Sequence, residues 1–204
     1  MMRIVRSGKR RRAFLCQSGA MASSVLLGAW DGGQVRAGEL SPTLACADDT
    51  EQTQQQTEGP FFVPGSPQRR SLLEPGIHGS RIVLGGRVLS TRCIPVANAL
   101  LDFWHADGDG RYDMEGFRMR GHQFTDSGGR YRLETIVPGL YPGRTRHFHV
   151  KVQAPHWPIL TTQLYFPDEP RNGRDLLFDR RLLMTVEDRG DRKVARFDFV
   201  VKLA

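Results

Sequence analysis

Two histidines, an arginine and a tyrosine crowd into one short stretch, "LYPGRTRHFHV" at residues 140–150. In an extended strand successive side chains point to opposite faces. Phe148, Val150 and Val152 therefore share one face, and His147 and His149 share the other as next neighbours. Two imidazoles at that spacing are placed to hold one metal ion, or else are two half-exposed surface histidines. Four tyrosines are present in all. Tyr141 sits in a Pro/Gly turn, "PGLYPG", just before the histidine strand, and Tyr112 ends the Gly/Asp-rich turn "WHADGDGRY". Both lie where loops leave strands, the usual location of a site, although packing at the rim of a core accounts for either one alone. Tyr131 alternates with Leu133 and reads as core, whereas Tyr165 flanks an apolar strand and stays ambiguous. Two phenolates with two neutral imidazoles form a hard, doubly anionic donor set, which suits Fe(III) better than Zn(II) or Fe(II). A phenol on a trivalent ion gives up its proton at neutral pH, because the ion's charge outweighs a free pKa of about 10.

Those residues need a scaffold, and the pattern around them is all-β. From residue 58 onward short apolar runs alternate with Gly/Pro/Asp turns, and no long segment keeps a helical period. "RIVLGGRVL" aligns Ile82, Leu84 and Val88; "NALLDFW" aligns Ala99, Leu101 and Phe103; "RYRLETI" aligns Tyr131, Leu133 and Thr135. "ILTTQLYF" aligns Leu160, Thr162, Leu164 and Phe166, and "ARFDFVVKL" reads as one strand carrying Ala195, Phe197, Phe199, Val201 and Leu203. Strands with one apolar side each predict a β-sandwich. "LLFDRRLL" at 176–183 reads as a short helical turn.

Charge and cysteines narrow the function classes. The net charge of +7 is uneven: residues 1–37 hold seven of the 29 lysines and arginines and one of the 22 acids, leaving 22 basic and 21 acidic residues beyond. The body therefore has no electrostatic footprint for nucleic acid. Residues 1–37 read as an export signal, with "RRAFL" (11–15) similar to a twin-arginine motif and "VRA" (35–37) suited to a signal peptidase. Its apolar run, about Ala20 to Trp30, is too short for the ~20 residues a membrane span needs, so stable insertion is not expected. Residues 38–57 read as a polar linker or arm, and 58–204 as the sandwich domain. Cys16 lies in the signal; Cys46 and Cys93 either pair in an oxidising compartment or stay as two thiols.

From about Glu58 to Asp175 the chain resembles the intradiol ring-cleavage dioxygenases, the group of protocatechuate and catechol dioxygenases. The matching pieces are "TEGPFF", "LGGRVL", "PVANALLDFWHADGDGRY", "TDSGGRYRLETIVPGLYPGRTRHFHVKV" and "LTTQLYFP", in that order. The resemblance implies a β-sandwich and an Fe(III) cofactor. It implies that Tyr112 is the tyrosinate that stays on the iron, Tyr141 the axial one that substrate displaces, and His147 and His149 the other ligands. It implies that Arg144 polarises the substrate and that Gln163 lines the same pocket. It further implies O2-dependent opening of a small aromatic diol, between its two hydroxylated carbons, to a muconate-type dicarboxylate. Three features depart from the pattern. Cys93 stands where Gly or Ser is usual, the Tyr141–His147 spacer "PGRTR" is short, and the helical dimerisation region of the catechol enzymes has no counterpart. The last two leave the substrate and any homo-oligomer unspecified. His105 reads as structural, and His78, His122 and His156 as surface residues. Two alternatives stay open: a non-catalytic carbohydrate-binding or adhesion sandwich, and a Zn or Cu protein using only the two histidines.

Overall fold

The computed structural model describes residues 51–203. Nine strands build it: β1 (Arg81–Ser90), β2 (Leu100–Trp104), β3 (Arg120–Phe124), β4 (Arg130–Ile136), β5 (His147–Gln153), β6 (Leu160–Tyr165), β7 (Thr185–Asp188), β8 (Lys193–Arg196) and β9 (Phe199–Val201). One sheet runs β4-β1-β8-β7, with β9 also on β1; the other runs β3-β2-β5-β6. Two 3-10 turns, Asn172–Arg174 and Arg180–Leu182, are the helical elements among the described residues, and the second lies in the predicted "LLFDRRLL" turn. No helix among the described residues is long and apolar enough to cross a membrane.

The alternation read from the sequence is the alternation the sheets use. Ile82, Leu84, Val88, Leu101, Phe103, Leu133, Phe148, Val150, Val152 and Leu164 are all buried in one cluster between the sheets. Tyr131 joins them, its hydroxyl donating to the Phe197 carbonyl at 2.7 Å. "ARFDFVVKL" is not one strand. It breaks into β8 and β9, both parallel to β1, because Phe197 N donates to Gly85 O (3.1 Å) and the Asp198 carboxylate takes Arg87 N (2.7 Å) in place of ladder bonds. β3 and β7 also went unpredicted. β3, "RGHQF", carries an arginine and a glycine where an alternating apolar pattern would be expected.

The outer face of the β3-β2-β5-β6 sheet is covered by Thr57 against Gln163, Phe62 against Trp104 and Ser66 against Asp102, and the chain before them closes the side of the sandwich along β6 and β9. Residues 51–57, from the segment read as a linker or arm, hydrogen-bond to the sheets: Gln56 N to Thr161 O (2.8 Å), Thr53 N to Val200 O (3.0 Å), and Thr162 Oγ1 to Gln54 O (2.6 Å). Ser66 to Gln68 lie along His122, whose ring is bonded to the Ser66 carbonyl at 2.7 Å and whose backbone pairs with Gln68, so it is half-buried and not the plain surface residue expected. Cys93 takes a left-handed φ of 63°, a conformation that explains the usual Gly at that position. Cys93 is disulfide-bonded; Cys46, expected either to pair with it or to stand as a second thiol, lies outside the described residues, as do residues 1–37 with Cys16.

Candidate metal centre

β5 supplies the floor. It is hydrogen-bonded to β2 on one side and β6 on the other, so the positions of His147 and His149 are set by two ladders. Both rings point away from the core yet are 4% and 2% exposed, which excludes the surface-histidine alternative. Trp104, the register partner of His149 on β2, lies flat against its imidazole, with centroids 4.8 Å apart and planes 9° apart. His147 Nδ1 donates to the Thr145 carbonyl at 2.7 Å, which leaves a lone pair on Nε2. That Nε2 lies 3.1 Å from His149 Nε2 and 3.2 Å from the Tyr112 hydroxyl. Burial holds both imidazoles neutral, lowering His147 to about 4 and His149 well below its ordinary value; the neighbouring charge of Arg144 adds to this.

Tyr112 and Tyr141 are delivered by two loops, the one between β2 and β3 and the one between β4 and β5. These loops are joined backbone to backbone. Gly139 N donates to Asp107 O at 2.7 Å, and a Cβ on Gly139 would lie 2.3 Å from Gly110 N and 2.5 Å from Gly108 O. No side chain fits at that crossing, so glycine there lets the two tyrosines approach. Their rings meet edge to face at 5.8 Å. Phe61, from "TEGPFF", stacks on Tyr112 at 4.3 Å and 12° and meets Tyr141 edge-on at 5.2 Å. Phe62 closes over Trp104 at 4.9 Å.

The arginine and glutamine belong to the same group. Arg144 Nη2 donates to Gln163 Oε1 at 2.6 Å, and the Gln163 amide donates to the Thr57 carbonyl at 3.0 Å. Gln163 leaves β6 on the face opposite Leu164, as its position in the alternation predicts. Sequence reasoning missed two supports. Asp175 takes Arg144 Nε at 2.8 Å, although no motif marks it. Arg120 is 2% exposed on β3; its Nη1 donates to Phe61 O (2.7 Å) and its Nε to Asp113 O (3.0 Å), tying the stacking phenylalanine to the tyrosine loop. Tyr165 resolves as part of the network, with its hydroxyl 2.7 Å from Leu177 O and 3.1 Å from Gln163 Oε1. His105 is structural, buried between Ala106 O and the Thr135 hydroxyl at 2.7 Å each.

The donor chemistry fits a metal ion. Among the described residues no group of three or more His, Cys, Asp or Glu could hold one, so a site here must draw on the phenols. Two neutral imidazole nitrogens and a phenol oxygen face one another, and the buried His149 Nδ1 has no hydrogen-bond partner. Burial pushes the Tyr112 hydroxyl far up, against the pull of Arg144 and Arg120. A phenolate at this spot therefore calls for a strong adjacent cation.

Comparison with known proteins agrees with this arrangement. The family model described as "Dioxygenase" matches residues 57–202. The chain is 36% identical over 137 residues to the protocatechuate 3,4-dioxygenase beta chain of Burkholderia cepacia, covering 58% of this chain and 57% of that one. It is 30% identical over 172 residues to catechol 1,2-dioxygenase 2 of Acinetobacter lwoffii, covering 71% and 62%. It thus spans about three fifths of the length of either relative. Among solved structures, it matches the dioxygenase domain of a dioxygenase–carbohydrate-binding protein fusion from the cellulolytic bacterium Streptomyces sp. SirexAA-E. That match has 55% identity and a TM-score of 0.74, over 76% of this chain and all of that one. With the sandwich, the paired histidines and the joined tyrosine loops in place, the chain belongs to the intradiol ring-cleavage dioxygenase family.

Proposed function

We propose that this protein is a non-haem Fe(III) dioxygenase that opens a catechol-type ring between its two hydroxylated carbons, using O2, to a muconate-type dicarboxylate. The observation that carries the reading is the convergence of Tyr112 Oη, His147 Nε2 and His149 Nε2, with successive separations of 3.2 and 3.1 Å, beside the ring of Tyr141. Bound by Tyr112, Tyr141, His147 and His149, Fe(III) would supply the Lewis acidity that draws protons from a 1,2-diol and makes its ring reactive toward O2. Both phenols are half-buried, but Phe61 stacks flat on Tyr112 and meets Tyr141 only edge-on, so Tyr141 is the phenol more open to an entering diol, and its oxygen, released from the ion, would take up a diol proton. The Arg144 guanidinium, fixed against Gln163, offsets negative charge as the ring gains keto character. Phe61, Phe62 and Trp104 keep water from the imidazoles and strengthen every charge interaction inside. A carbohydrate-binding or adhesion module has no use for two buried, metal-ready imidazoles. We also propose export of the folded protein through residues 1–37, supported by the arginine pair in "RRAFL"; replacing Arg11 and Arg12 by lysine should retain it in the cytoplasm.

The test is to load the purified protein with iron and record its colour, oxygen uptake and ring-opened products with a panel of catechols. Wine-red tyrosinate-to-iron absorption, one O2 consumed per ring opened, and altered absorption in Tyr141→Phe are expected. A colourless protein with iron bound, or colour with no dicarboxylate from any catechol, would refute the reading.

A further inference from the structure

Asp175 lies on the segment after β6, outside every motif that carries the family resemblance, and its side chain is 2% exposed. Both of its oxygens are engaged by the site's neighbours. Oδ2 takes Arg144 Nε and the Thr145 backbone N–H, both at 2.8 Å, while Oδ1 takes Leu177 N at 2.9 Å. Burial works against its charge, yet the donors from Thr145, Leu177 and Arg144 outweigh this and hold the carboxyl below its ordinary range. The guanidinium is thus gripped along its Nε edge by Asp175 and at Nη2 by Gln163, on a different element. A planar group held at two points cannot rotate, and Nη1 makes no hydrogen bond to the described residues. The same carboxylate holds the backbone N–H of Thr145, and the carbonyl at the other end of that residue accepts His147 Nδ1–H and so sets the lone pair on Nε2.

We infer that Asp175 is a positioning residue: it aims the Arg144 guanidinium at the substrate and, by fixing the backbone of Thr145, holds the turn that orients His147. The inference rests on the ring-cleavage reading of the site. It assigns Asp175 no contact with substrate and no proton transfer. Arg144 is its principal effector, so removing the carboxylate acts on substrate handling more than on metal content.

The experiment compares iron-loaded wild type, Asp175→Asn, Arg144→Ala and the double variant. Four quantities are read: iron per chain, affinity for 4-nitrocatechol from its spectral shift, and KM and kcat for the best catechol. Asp175→Asn is expected to keep its iron and colour while losing about tenfold or more in analogue affinity and kcat/KM, the scale of a misaimed group. In the Arg144→Ala background the same substitution should cost less than about twofold, because its target is gone. Equal losses in both backgrounds, or loss of activity only in step with loss of iron, overturn the inference. Arg144→Lys provides a check that leaves Asp175 untouched. It keeps the charge but not the two-edged plane, so it should weaken analogue binding about as much as Asp175→Asn, and full activity in that variant also overturns the inference. Wild-type protein that cleaves no catechol sinks the functional reading itself, whereas active wild type with additive losses sinks only the role of Asp175.

Discussion

Gly139→Ala puts one methyl group where the two tyrosine loops cross. Its Cβ would stand 2.3 Å from Gly110 N, 2.5 Å from Gly108 O and 2.8 Å from Asp109 C. All three are backbone atoms, so no side chain can swing aside. To restore an ordinary carbon contact of about 3.5 Å the loops must part by roughly 1 Å. Parting them also strains or breaks the 2.7 Å bond from Gly139 N to Asp107 O. Overpacking of this kind costs about 1–3 kcal/mol and the hydrogen bond about 1 more, so a loss of roughly 2–4 kcal/mol is expected. The functional loss should be of similar size in free energy. Tyr112 rides on one loop and Tyr141 on the other, and a shift of about 1 Å between catalytic groups is worth about a hundredfold in rate. Urea unfolding gives the first quantity, and kcat/KM for ring opening gives the second. Gly173→Ala is the control: nothing lies within 4 Å of its Cβ and its φ is not left-handed, so stability and activity should both stay at wild-type level. If Gly139→Ala proves as harmless as the control, the loops are not coupled as described.

On β5 the two faces should separate cleanly. His147→Ala should lose iron and colour, whereas Phe148→Ala, 0% exposed on the core side, should lose about 3–5 kcal/mol of stability yet remain coloured wherever it stays folded; metal analysis and urea titration of both variants check this. Acid should destabilise the protein partly through His105. Burial lowers its pKa to about 4, so below about pH 6.5 the unfolded chain takes up a proton that the folded one refuses. The contribution is intact above about pH 6.5 and costs about 3 kcal/mol by about pH 4. His105→Gln should therefore lose less stability than wild type across that window, and equal losses would remove His105 from the account.

The legible part of this molecule is the part governed by period two. The facing of Phe148 against His147, and of Leu164 against Gln163, follows from alternation alone, and the contacts confirm it: Phe148 and Leu164 join the core, while His147 meets His149 and Gln163 meets Arg144. Loop-borne tyrosines could be nominated from turn composition, but their meeting depends on a crossing between Gly110 and Gly139 that no local pattern encodes. Arg120 and Asp175 were invisible for another reason. Single charged residues in sequence look like solvated surface, and only the fold reveals that these two are buried against backbone donors and carbonyls. The break between β8 and β9 likewise arises from the approach of Asp198 to β1, a long-range contact beneath an uninterrupted apolar alternation.

The imidazoles stand on a strand laddered on both sides, while what lies above them is furnished by residues 57–62 and by loops outside the sheet. On the proposed function, ion capture and choice of guest fall to separate stretches of sequence. Roof segments could then lengthen, shorten or exchange without unsettling the floor, and a lineage built on this plan would be free to take new guests above an unchanged pair of imidazoles.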